Sequence, residues 1–326
     1  MDNQCVNCKV CNGRACGNRI PGPGSKGIGD TAIRNYDKWQ EIRVNMDTLV
    51  EYGPVSTEAN LFGRTFAAPI FAGPVGAVAM HYNDTYDDLR YNQVLVSACQ
   101  KAGIAAFTGD GMDASVLESA CEVIGQLGGV GVPTVKPWDM ETVRLKMGLA
   151  KKSGAFAIAM DVDAAGLPFL KKMEHPAGGK SVQQMQEIVR MAGVPFIIKG
   201  VMTVKGAVKA KQAGASAIIV SNHGGRVLDQ CPATAEVLPE IAAAVGQSMT
   251  ILVDGGIRTG TDVFKALAMG ASGVLLARPF ATAIYYGGEE GVQNLVAKMI
   301  GELRDAMEMC GAKDLSQITP DMVRLP

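Results

Sequence analysis

The sequence predicts an α/β protein folded as a (β/α)8 TIM barrel, preceded by a short Cys-rich N-terminal extension. Eight short runs of apolar and β-branched residues alternate with longer amphipathic segments along the 326 residues. Apolar strands that are each followed by a helix are typical of a parallel sheet buried on both faces. Eight such units favour a closed barrel over an open sheet. A Rossmann domain is disfavoured because the nearest Gly-rich stretch, 128–131, lacks the third glycine of the dinucleotide fingerprint.

The predicted strands follow the apolar runs along the chain. In order they are 68–73, 103–108, 129–133, 155–161, 195–199, 217–220, 250–254 and 272–276. Helical patterns lie between most of them, at 87–102, 139–153, 182–192, 204–213 and 260–269. A Pro- and Gly-rich connector at 20–29 precedes the first unit. We therefore expect a Cys-rich metal-binding extension and linker at 1–29 and the barrel at 30–326.

The composition excludes several classes of function. The 31 Lys and Arg residues balance 32 Asp and Glu residues, and the formal net charge is -1. Without a basic excess, the chain is not expected to bind nucleic acid. The longest apolar stretches, such as 213–220 and 270–277, are shorter than the ~20 residues of a membrane-spanning helix. We expect no membrane association and no signal peptide, and a cytoplasmic location as the default.

Polar side chains follow several of the predicted strands. The carboxyl ends of the strands carry the active site in (β/α)8 enzymes. A charged residue at the end of an apolar strand is costly unless it is paired or faces a polar ligand. Several such residues together indicate a site at this face of the barrel. They are Asp161 and Asp163 after the fourth strand, Lys199 at the end of the fifth, Ser221, Asn222 and His223 after the sixth, Asp254 after the seventh and Arg278 after the eighth.

Two Gly-rich loops follow the seventh and eighth strands and open onto predicted helices. The first runs from Asp254 to Arg258, with a helix beginning near Thr259, and the second runs from Gly273 to Arg278. Backbone N–H groups at such helix starts bind phosphate oxygens. The alternative is that these glycines only make tight turns. Two adjacent loops with an arginine each favour a phosphate-bearing cofactor.

His223 lies in a polar segment directly after an apolar strand. A histidine accepts a proton near neutral pH, and a carboxylate within hydrogen-bond distance fixes its tautomer. Asp163 is a candidate for that carboxylate, and Arg226 is a candidate clamp for a substrate carboxylate. The alternative is a histidine that simply lies in a surface loop.

Four of the eight cysteines lie close together near the N-terminus. Cys5, Cys8, Cys11 and Cys16 form a C-x2-C-x2-C-x4-C pattern. Four thiolates suit tetrahedral zinc or an iron-sulfur (4Fe-4S) cluster, and the first three spacings resemble a ferredoxin-type run. A cluster would let electrons leave one at a time, whereas zinc would only hold the N-terminus on the barrel. Unliganded thiols remain the third possibility.

The segments 221–229 and 253–271 resemble the signature of the FMN-dependent 2-hydroxy-acid oxidases and dehydrogenases, the family of glycolate oxidase and lactate oxidase. The first reads Ser-Asn-His-Gly-Gly-Arg-Val-Leu-Asp, and the second begins Val-Asp-Gly-Gly-Ile-Arg-Thr-Gly-Thr-Asp. The similarity is dense from residue 196 onward and thinner over 29–159. It implies a (β/α)8 barrel that binds FMN and oxidises a 2-hydroxy acid to a 2-keto acid, with flavin N5 as hydride acceptor.

The resemblance also implies a role for each matching residue. His223 would be the base, Asp163 its partner, Arg226 the clamp on the substrate carboxylate and Lys199 the cation beside flavin N1 and O2. Backbone atoms of Pro74, Val75 and Gly76 would pack on the flavin ring. The ribityl and phosphate groups would be held by Asp254, Gly255, Gly256, Ile257, Arg258, Ala277 and Arg278. A glycine is usual in the family at the position of Ala277.

Several substrate contacts of the family are missing. No tyrosine is present in the third-strand segment 131–136, and the loop 164–168 is apolar where the family supplies a second arginine. The Cys-rich segment replaces an early helix that carries another tyrosine. A hydroxyl contact to the flavin is also absent, since Gly109 stands at its position beside Asp110. His81 and Tyr82 are candidates for replacement contacts or are surface residues of a loop.

Two alternative functions remain open at this point. Type 2 isopentenyl diphosphate isomerases share the barrel and the flavin without net redox chemistry, but the segment around His223 and Arg226 argues against a diphosphate substrate. A non-enzymatic flavin and metal electron carrier is the other alternative. The preferred interpretation expects a small carboxylate substrate, an unidentified electron acceptor and a homo-oligomer.

Overall fold

The computed structural model describes residues 8, 10–51, 53–173 and 176–326. The strands are β1 (Arg43–Val44), β2 (Ala59–Leu61), β3 (Arg64–Phe66), β4 (Ile70–Ala72), β5 (Phe107–Thr108), β6 (Val132–Val135), β7 (Ile158–Asp161), β8 (Phe196–Val201), β9 (Ala217–Val220), β10 (Thr250–Val253), β11 (Gly273–Leu276) and β12 (Val323–Arg324). The helices are α1 (Asp30–Glu41), α2 (Val78–His81), α3 (Asp88–Lys101), α4 (Ala114–Gln126), α5 (Met140–Lys152), α6 (Val182–Ala192), α7 (Val204–Gln212), α8 (Thr234–Val245), α9 (Gly260–Ala268) and α10 (Arg278–Met309).

The predicted barrel is confirmed. Strands β4 to β11 form one parallel sheet, in which each strand from β5 to β10 pairs with the next along the chain and β11 pairs with β4. A parallel bridge between Ala72 and Ala106 joins β4 to the segment of β5 and closes the ring. Each of the eight predicted apolar runs overlaps one of these strands, although β6 and β8 extend two residues beyond the predicted ends.

Short polar residues set the beginnings of the outer helices. The side chain of Asp87 caps α3, that of Asp139 caps α5 and that of Thr203 caps α7. Ser181 and Thr259 form capping boxes with Gln184 and Asp262 at the starts of α6 and α9. Each such cap satisfies N–H groups that the helix itself leaves unpaired. The predicted helices match α3, α5, α6, α7 and α9, whereas α1, α2, α4, α8 and α10 are found in addition.

Side chains fill the interior of the barrel. Phe71, Phe107 and Ile197 belong to a buried cluster contributed by the strands. The β2–β3 hairpin adds Leu61 and Phe66 to the same cluster, and the Phe66 and Phe71 rings meet edge to face at 5.3 Å. Because β4 begins only a few residues after this hairpin, the hairpin covers the amino ends of the strands. The interior of the barrel is thus a packed core, as is typical of barrels of this type.

The connector that leads into α1 is fastened to loops at the carboxyl ends. The Asp229 carboxylate accepts hydrogen bonds from the N–H groups of Ile28, Gly29 and Thr31. The ammonium of Lys26 donates to the carbonyls of Gly166 and Val227. The predicted division at residue 29 stays a prediction. Across the described part of the chain, no helix is both long and apolar enough to span a bilayer.

Candidate active site

An open cavity of about 1100 Å³ lies at the carboxyl ends of the strands. The strand ends and the loops after them contribute its walls, together with Gly22 and Pro23 of the connector. Most of the residues predicted to form the site line it. They are Pro74, Val75, Gly76, Lys199, His223, Arg226, Asp254, Gly255, Gly256, Arg258, Ala277 and Arg278.

His223 and Asp163 form a hydrogen-bonded pair beside the cavity. Nδ1 of His223 lies 3.0 Å from Oδ1 of Asp163, and the carboxylate is buried. Burial lowers the pKa of His223, with Lys199 acting in the same direction and Asp163 opposing. The imidazole is therefore neutral at pH 7, and the acceptor at Nδ1 places the proton there and leaves the Nε2 lone pair free. The backbone of His223 has φ 56°, in the left-handed region. This conformation is unusual for residues other than glycine and often marks a functional site.

Asp163 stays ionised in this pair. Burial alone would raise the pKa of its carboxyl group, but the proximity of His223 and Lys199 lowers the pKa below its ordinary value. The second oxygen, Oδ2, is buried and has no hydrogen-bond partner among the described residues. An ionised carboxylate in this position stabilises a protonated imidazole.

Lys199 is a buried cation at the end of β8. Its side chain is 4% exposed, and Nζ lies 2.8 Å from the hydroxyl of Ser221 and 3.3 Å from Oδ2 of Asp254. Burial alone would lower the pKa of the ammonium, but the carboxylates of Asp254 and Asp163 outweigh it and raise the pKa. The cavity thus contains a permanent positive charge out of contact with bulk water, where electrostatic interactions are strong.

The guanidinium of Arg226 is held by backbone carbonyls of the connector. Nη1 donates to the carbonyls of Gly22 at 2.6 Å and Gly24 at 2.9 Å, and Nη2 lies 3.3 Å from Nδ1 of His81. Burial and the nearby Arg278 lower the pKa of Arg226 to about 10, so the group stays charged at neutral pH. These contacts fix the orientation of the guanidinium and leave part of its donor edge for a ligand.

Arg258 and Arg278 are held in the same manner. Arg278 donates to the carbonyls of Pro23, Gly24 and Gly224. Arg258 donates from Nε to the Cys11 carbonyl at 2.7 Å, and its Nη2 lies 3.3 Å from the Cys11 sulfur. Sequence reasoning placed the two arginines in the site but did not anticipate that the extension and its connector would hold them.

Lys136 and Asp161 form a buried ion pair that sequence reasoning did not assign. The ammonium of Lys136 lines the cavity and lies 2.5 Å from Oδ2 of Asp161. Burial raises the pKa of Asp161, and Lys136 opposes this rise. Ligand atoms of Asp161, Asp163 and His223 lie within 4.8 Å of one another. We interpret this group as an ion-pair and proton-transfer cluster rather than a metal site, because the Lys136 ammonium already pairs with the Asp161 carboxylate.

Asp110 fixes the loop that carries Lys136. Its carboxylate accepts from the Lys136 N–H at 2.9 Å, from Nε1 of Trp138 at 2.7 Å and from Nζ of Lys146 at 2.5 Å. A buried carboxylate is tolerated where it is paired and hydrogen-bonded in this way. Asp110 therefore acts on the site through the backbone of Lys136.

Two sets of predicted residues lie outside the cavity. The structure does not bring Ile257 to it, since the Ile257 side chain is buried in the hydrophobic core and its carbonyl accepts from Arg258. Of the four predicted metal ligands, Cys5 lies outside the described residues. Cys8 is exposed, while Cys11 and Cys16 are partly buried, and these three thiols do not form a metal-binding group as placed. The metal site stays a prediction.

The site fits a flavin mononucleotide. Gly255 and Gly256, with φ of 86° and 88°, bring bare backbone to the cavity directly before α9. Oδ1 of Asp254 is buried without a partner among the described residues, so a hydroxyl donor such as a ribityl group would satisfy it. Arg258 and Arg278 each use three of their five N–H donors in the contacts given, which leaves two on each for a phosphate.

The carboxyl end of the barrel thus combines anion-binding loops, a buried lysine and a histidine-aspartate pair. These features define the active site of a class of flavin-dependent enzymes. The sequence profile described as FMN-dependent dehydrogenase matches residues 23–178 and 169–325. The chain belongs to the FMN-dependent dehydrogenase family.

Individual relatives agree with this assignment. A peroxisomal (S)-2-hydroxyacid oxidase of Arabidopsis thaliana is 28% identical over 328 residues, covering 90% of this chain and 88% of the relative. The L-lactate oxidase of Lactobacillus jensenii is 30% identical over 295 residues, covering 81% and 70%. A structure of a mandelate oxidase variant with (S)-mandelic acid superposes with a TM-score of 0.78 at 28% identity, covering 92% of this chain and 91% of the other.

Proposed function

We propose that the protein oxidises a 2-hydroxy acid to the corresponding 2-keto acid with FMN as its cofactor. The observation that carries the proposal is the placement of His223, paired with Asp163, in one cavity with Arg226 and Lys199. The similar proteins are named as oxidases of 2-hydroxy acids, lactate and mandelate. These names support oxidation of a 2-hydroxy acid and do not support the isomerase or the electron carrier.

The residues of the chain divide the reaction between them. The free N–H groups of Arg226 bind the substrate carboxylate and orient the C2 hydroxyl. Nε2 of neutral His223 accepts the hydroxyl proton, while Asp163 stabilises the imidazolium that forms. FMN held by the loops around Asp254, Arg258 and Arg278 would supply the acceptor for the hydride equivalent that leaves C2 as the C2–O bond becomes a carbonyl. The buried ammonium of Lys199 stabilises negative charge that develops on the ligand in the cavity.

An apolar part of the cavity wall favours an apolar substituent on the substrate. Met80, Leu167, Phe169 and Leu170 line the cavity on the side of α2 and of the loop after β7. Burial of apolar area stabilises a complex by about 25 cal/mol per Å². We therefore propose that 2-hydroxy acids with aliphatic or aromatic side chains are bound more tightly than glycolate.

We also propose that Cys5, Cys8, Cys11 and Cys16 bind zinc or a 4Fe-4S cluster. The spacing of the four thiols supports this. Iron and zinc should be quantified per chain after anaerobic purification, with Cys8→Ser compared with Cys231→Ser. Metal that is lost only in the Cys8 variant supports the proposal, and a metal-free folded wild-type protein contradicts it.

The function is tested by anaerobic mixing of the FMN-loaded protein with a panel of 2-hydroxy acids that includes glycolate, lactate, mandelate and 2-hydroxyisocaproate. Bleaching of the oxidised flavin absorbance by one of them, with one equivalent of 2-keto acid formed, is the expected result. The His223→Gln variant should retain FMN and lose the bleaching. A protein that binds FMN and is reduced by no member of the panel would contradict the proposed function.

A further inference from the structure

His81 lies at the cavity beside the arginine that binds the substrate carboxylate. It is the last residue of α2, which follows β4. Its ring lines the cavity, and the ring centroid lies 6.1 Å from that of Phe169. The mechanism derived above gives His81 no role.

The hydrogen bonds of His81 define its tautomer. Nδ1 lies 3.2 Å from the backbone nitrogen of Gly22 and 3.3 Å from Nη2 of Arg226. Both neighbours are N–H donors, and neither can accept a hydrogen bond. Nδ1 therefore carries a lone pair, and the ring proton of the neutral imidazole is on Nε2.

The ring also stays neutral. Burial, followed by the positive charges of Arg226 and Lys136, lowers the pKa of His81 to about 3. Arg226 and Lys136 line the same cavity as His81. An imidazole in this environment is a neutral donor through Nε2–H, in contrast to His223, which is a neutral acceptor through Nε2.

The Nε2–H group of His81 has no hydrogen-bond partner in the part of the chain that the structure describes. The guanidinium of Arg226 also has N–H donors without a partner among the described residues. Its contacts to Gly22, Gly24 and His81 use three of five N–H donors, which leaves two. Two neighbouring residues that line one cavity thus keep N–H donors available, and an anionic ligand with several acceptor lone pairs suits them.

We propose that His81 is a substrate-binding residue whose Nε2–H donates a hydrogen bond to the substrate carboxylate that Arg226 binds. The inference rests on the proposed function, because it assigns a further contact to the same substrate. It also accounts for the lack of a tyrosine hydroxyl in the segment 131–136. Lys136 stands at the end of that segment, but its ammonium is already paired with Asp161.

Two substitutions separate this role from a purely structural one. The amide nitrogen of His81→Gln reproduces the donor at Nε2, whereas the amide oxygen of His81→Asn reproduces the acceptor at Nδ1 toward Gly22 and Arg226. The dissociation constants of oxalate and pyruvate are measured from the perturbation of the flavin absorbance, together with KM and kcat for the best substrate. Retained FMN and an unchanged unfolding midpoint establish that each variant is folded.

We expect His81→Gln to bind oxalate within about threefold of wild type and His81→Asn to bind it roughly 10- to 100-fold more weakly, as for a lost hydrogen bond to a charged group. The loss should be in KM more than in kcat. The reverse order, an equal loss in both variants or no loss in either would overturn the proposal.

A measurement on the wild-type protein keeps the test open if a variant does not fold. Only three histidines occur in the sequence, so their ring nitrogens can be resolved by 15N NMR. Addition of oxalate should shift the protonated Nε2 of His81, and an unchanged resonance under saturating oxalate contradicts the contact. A protein that binds oxalate through His81 but oxidises no 2-hydroxy acid would contradict the proposed function alone.

Discussion

Nδ1 of His223 lies 3.0 Å from Oδ1 of Asp163, and the two side chains are only 15% and 9% exposed. The contact joins residues from two units of the barrel, one after β7 and one after β9, whose strands are separated by β8. It presents the Nε2 lone pair of a neutral imidazole to the cavity. The first prediction concerns the charge on this pair.

Replacement of Asp163 by Asn should slow the chemical step while preserving the cofactor site. The Asn amide does not carry the negative charge that stabilises the imidazolium, and it can hold the ring in the wrong tautomer. We expect flavin reduction to slow by roughly 10²- to 10⁴-fold, the range for general acid-base groups and their orienting carboxylates. Stopped-flow absorbance under anaerobic conditions measures this rate. A variant reduced at the wild-type rate would remove Asp163 from the mechanism.

His81 makes the folded protein sensitive to acid. Its pKa is 6.5 in the unfolded chain and about 3 in the folded protein, so between these values the unfolded state binds more protons. The free energy of unfolding therefore falls as the pH decreases from about 6.5 towards 3. The lowered pKa of His223 acts in the same direction.

Urea unfolding at several pH values between 7.5 and 4.5 measures this dependence. The free energy of unfolding should fall by up to ~1.4 kcal/mol per pH unit for each such histidine. The His81→Asn variant should lose one of these contributions and show a shallower slope below pH 6. Parallel slopes for the two proteins would mean that His81 is protonated in the folded state.

Gly256 must be a glycine because α1 approaches its backbone closely. A Cβ at Gly256 would lie 2.1 Å from the carbonyl oxygen of Asn35, and φ is 88°. Trp39, one turn further along α1, donates from Nε1 to the Gly255 carbonyl at 2.8 Å. We expect Gly256→Ala to lower the unfolding midpoint and to weaken FMN binding, because the loop must move to relieve the clash.

Gly287→Ala is the matched control for this substitution. Gly287 lies in α10, has no positive φ, and a Cβ there meets nothing within 4 Å. It should leave FMN binding unchanged and raise stability slightly through helix propensity. Differential scanning fluorimetry and flavin fluorescence measure both effects. If Gly256→Ala and Gly287→Ala had the same unfolding midpoint and the same FMN affinity, the loop after β10 would not require a glycine at position 256.

The sequence predicts the barrel and the charged strand ends well, because both signals are local. Lys199 and Asp254 each end an apolar run, and such residues must be paired or meet a ligand. Other features depend on contacts between distant segments and have no local pattern. Examples are the Gly22 carbonyl that binds Arg226 and the ion pair between Lys136 and Asp161. The cysteine pattern predicted a metal site but not the contact of Cys11 with Arg258.

The last prediction concerns Lys136 and Asp161, whose side chains are 11% and 1% exposed. In Lys136→Met, the Asp161 carboxylate would remain buried without its partner. Breaking a buried ion pair from one side typically costs 3–5 kcal/mol, most of it the penalty for the charge that is left. We expect a loss of this size, about 3–5 kcal/mol, in the free energy of unfolding at pH 7.

The double variant Lys136→Met with Asp161→Asn tests the cause of that loss. Both members are neutral, so the desolvation penalty is removed and much of the lost stability should return. Relative to wild type at the same pH, the single variant should regain stability as the pH falls, because Asp161 is then protonated, whereas the double variant should not. Urea titrations at pH 7 and pH 5 distinguish these cases. If the double variant were as unstable as the single one at pH 7, packing of the Lys136 side chain, rather than its charge, would account for the loss.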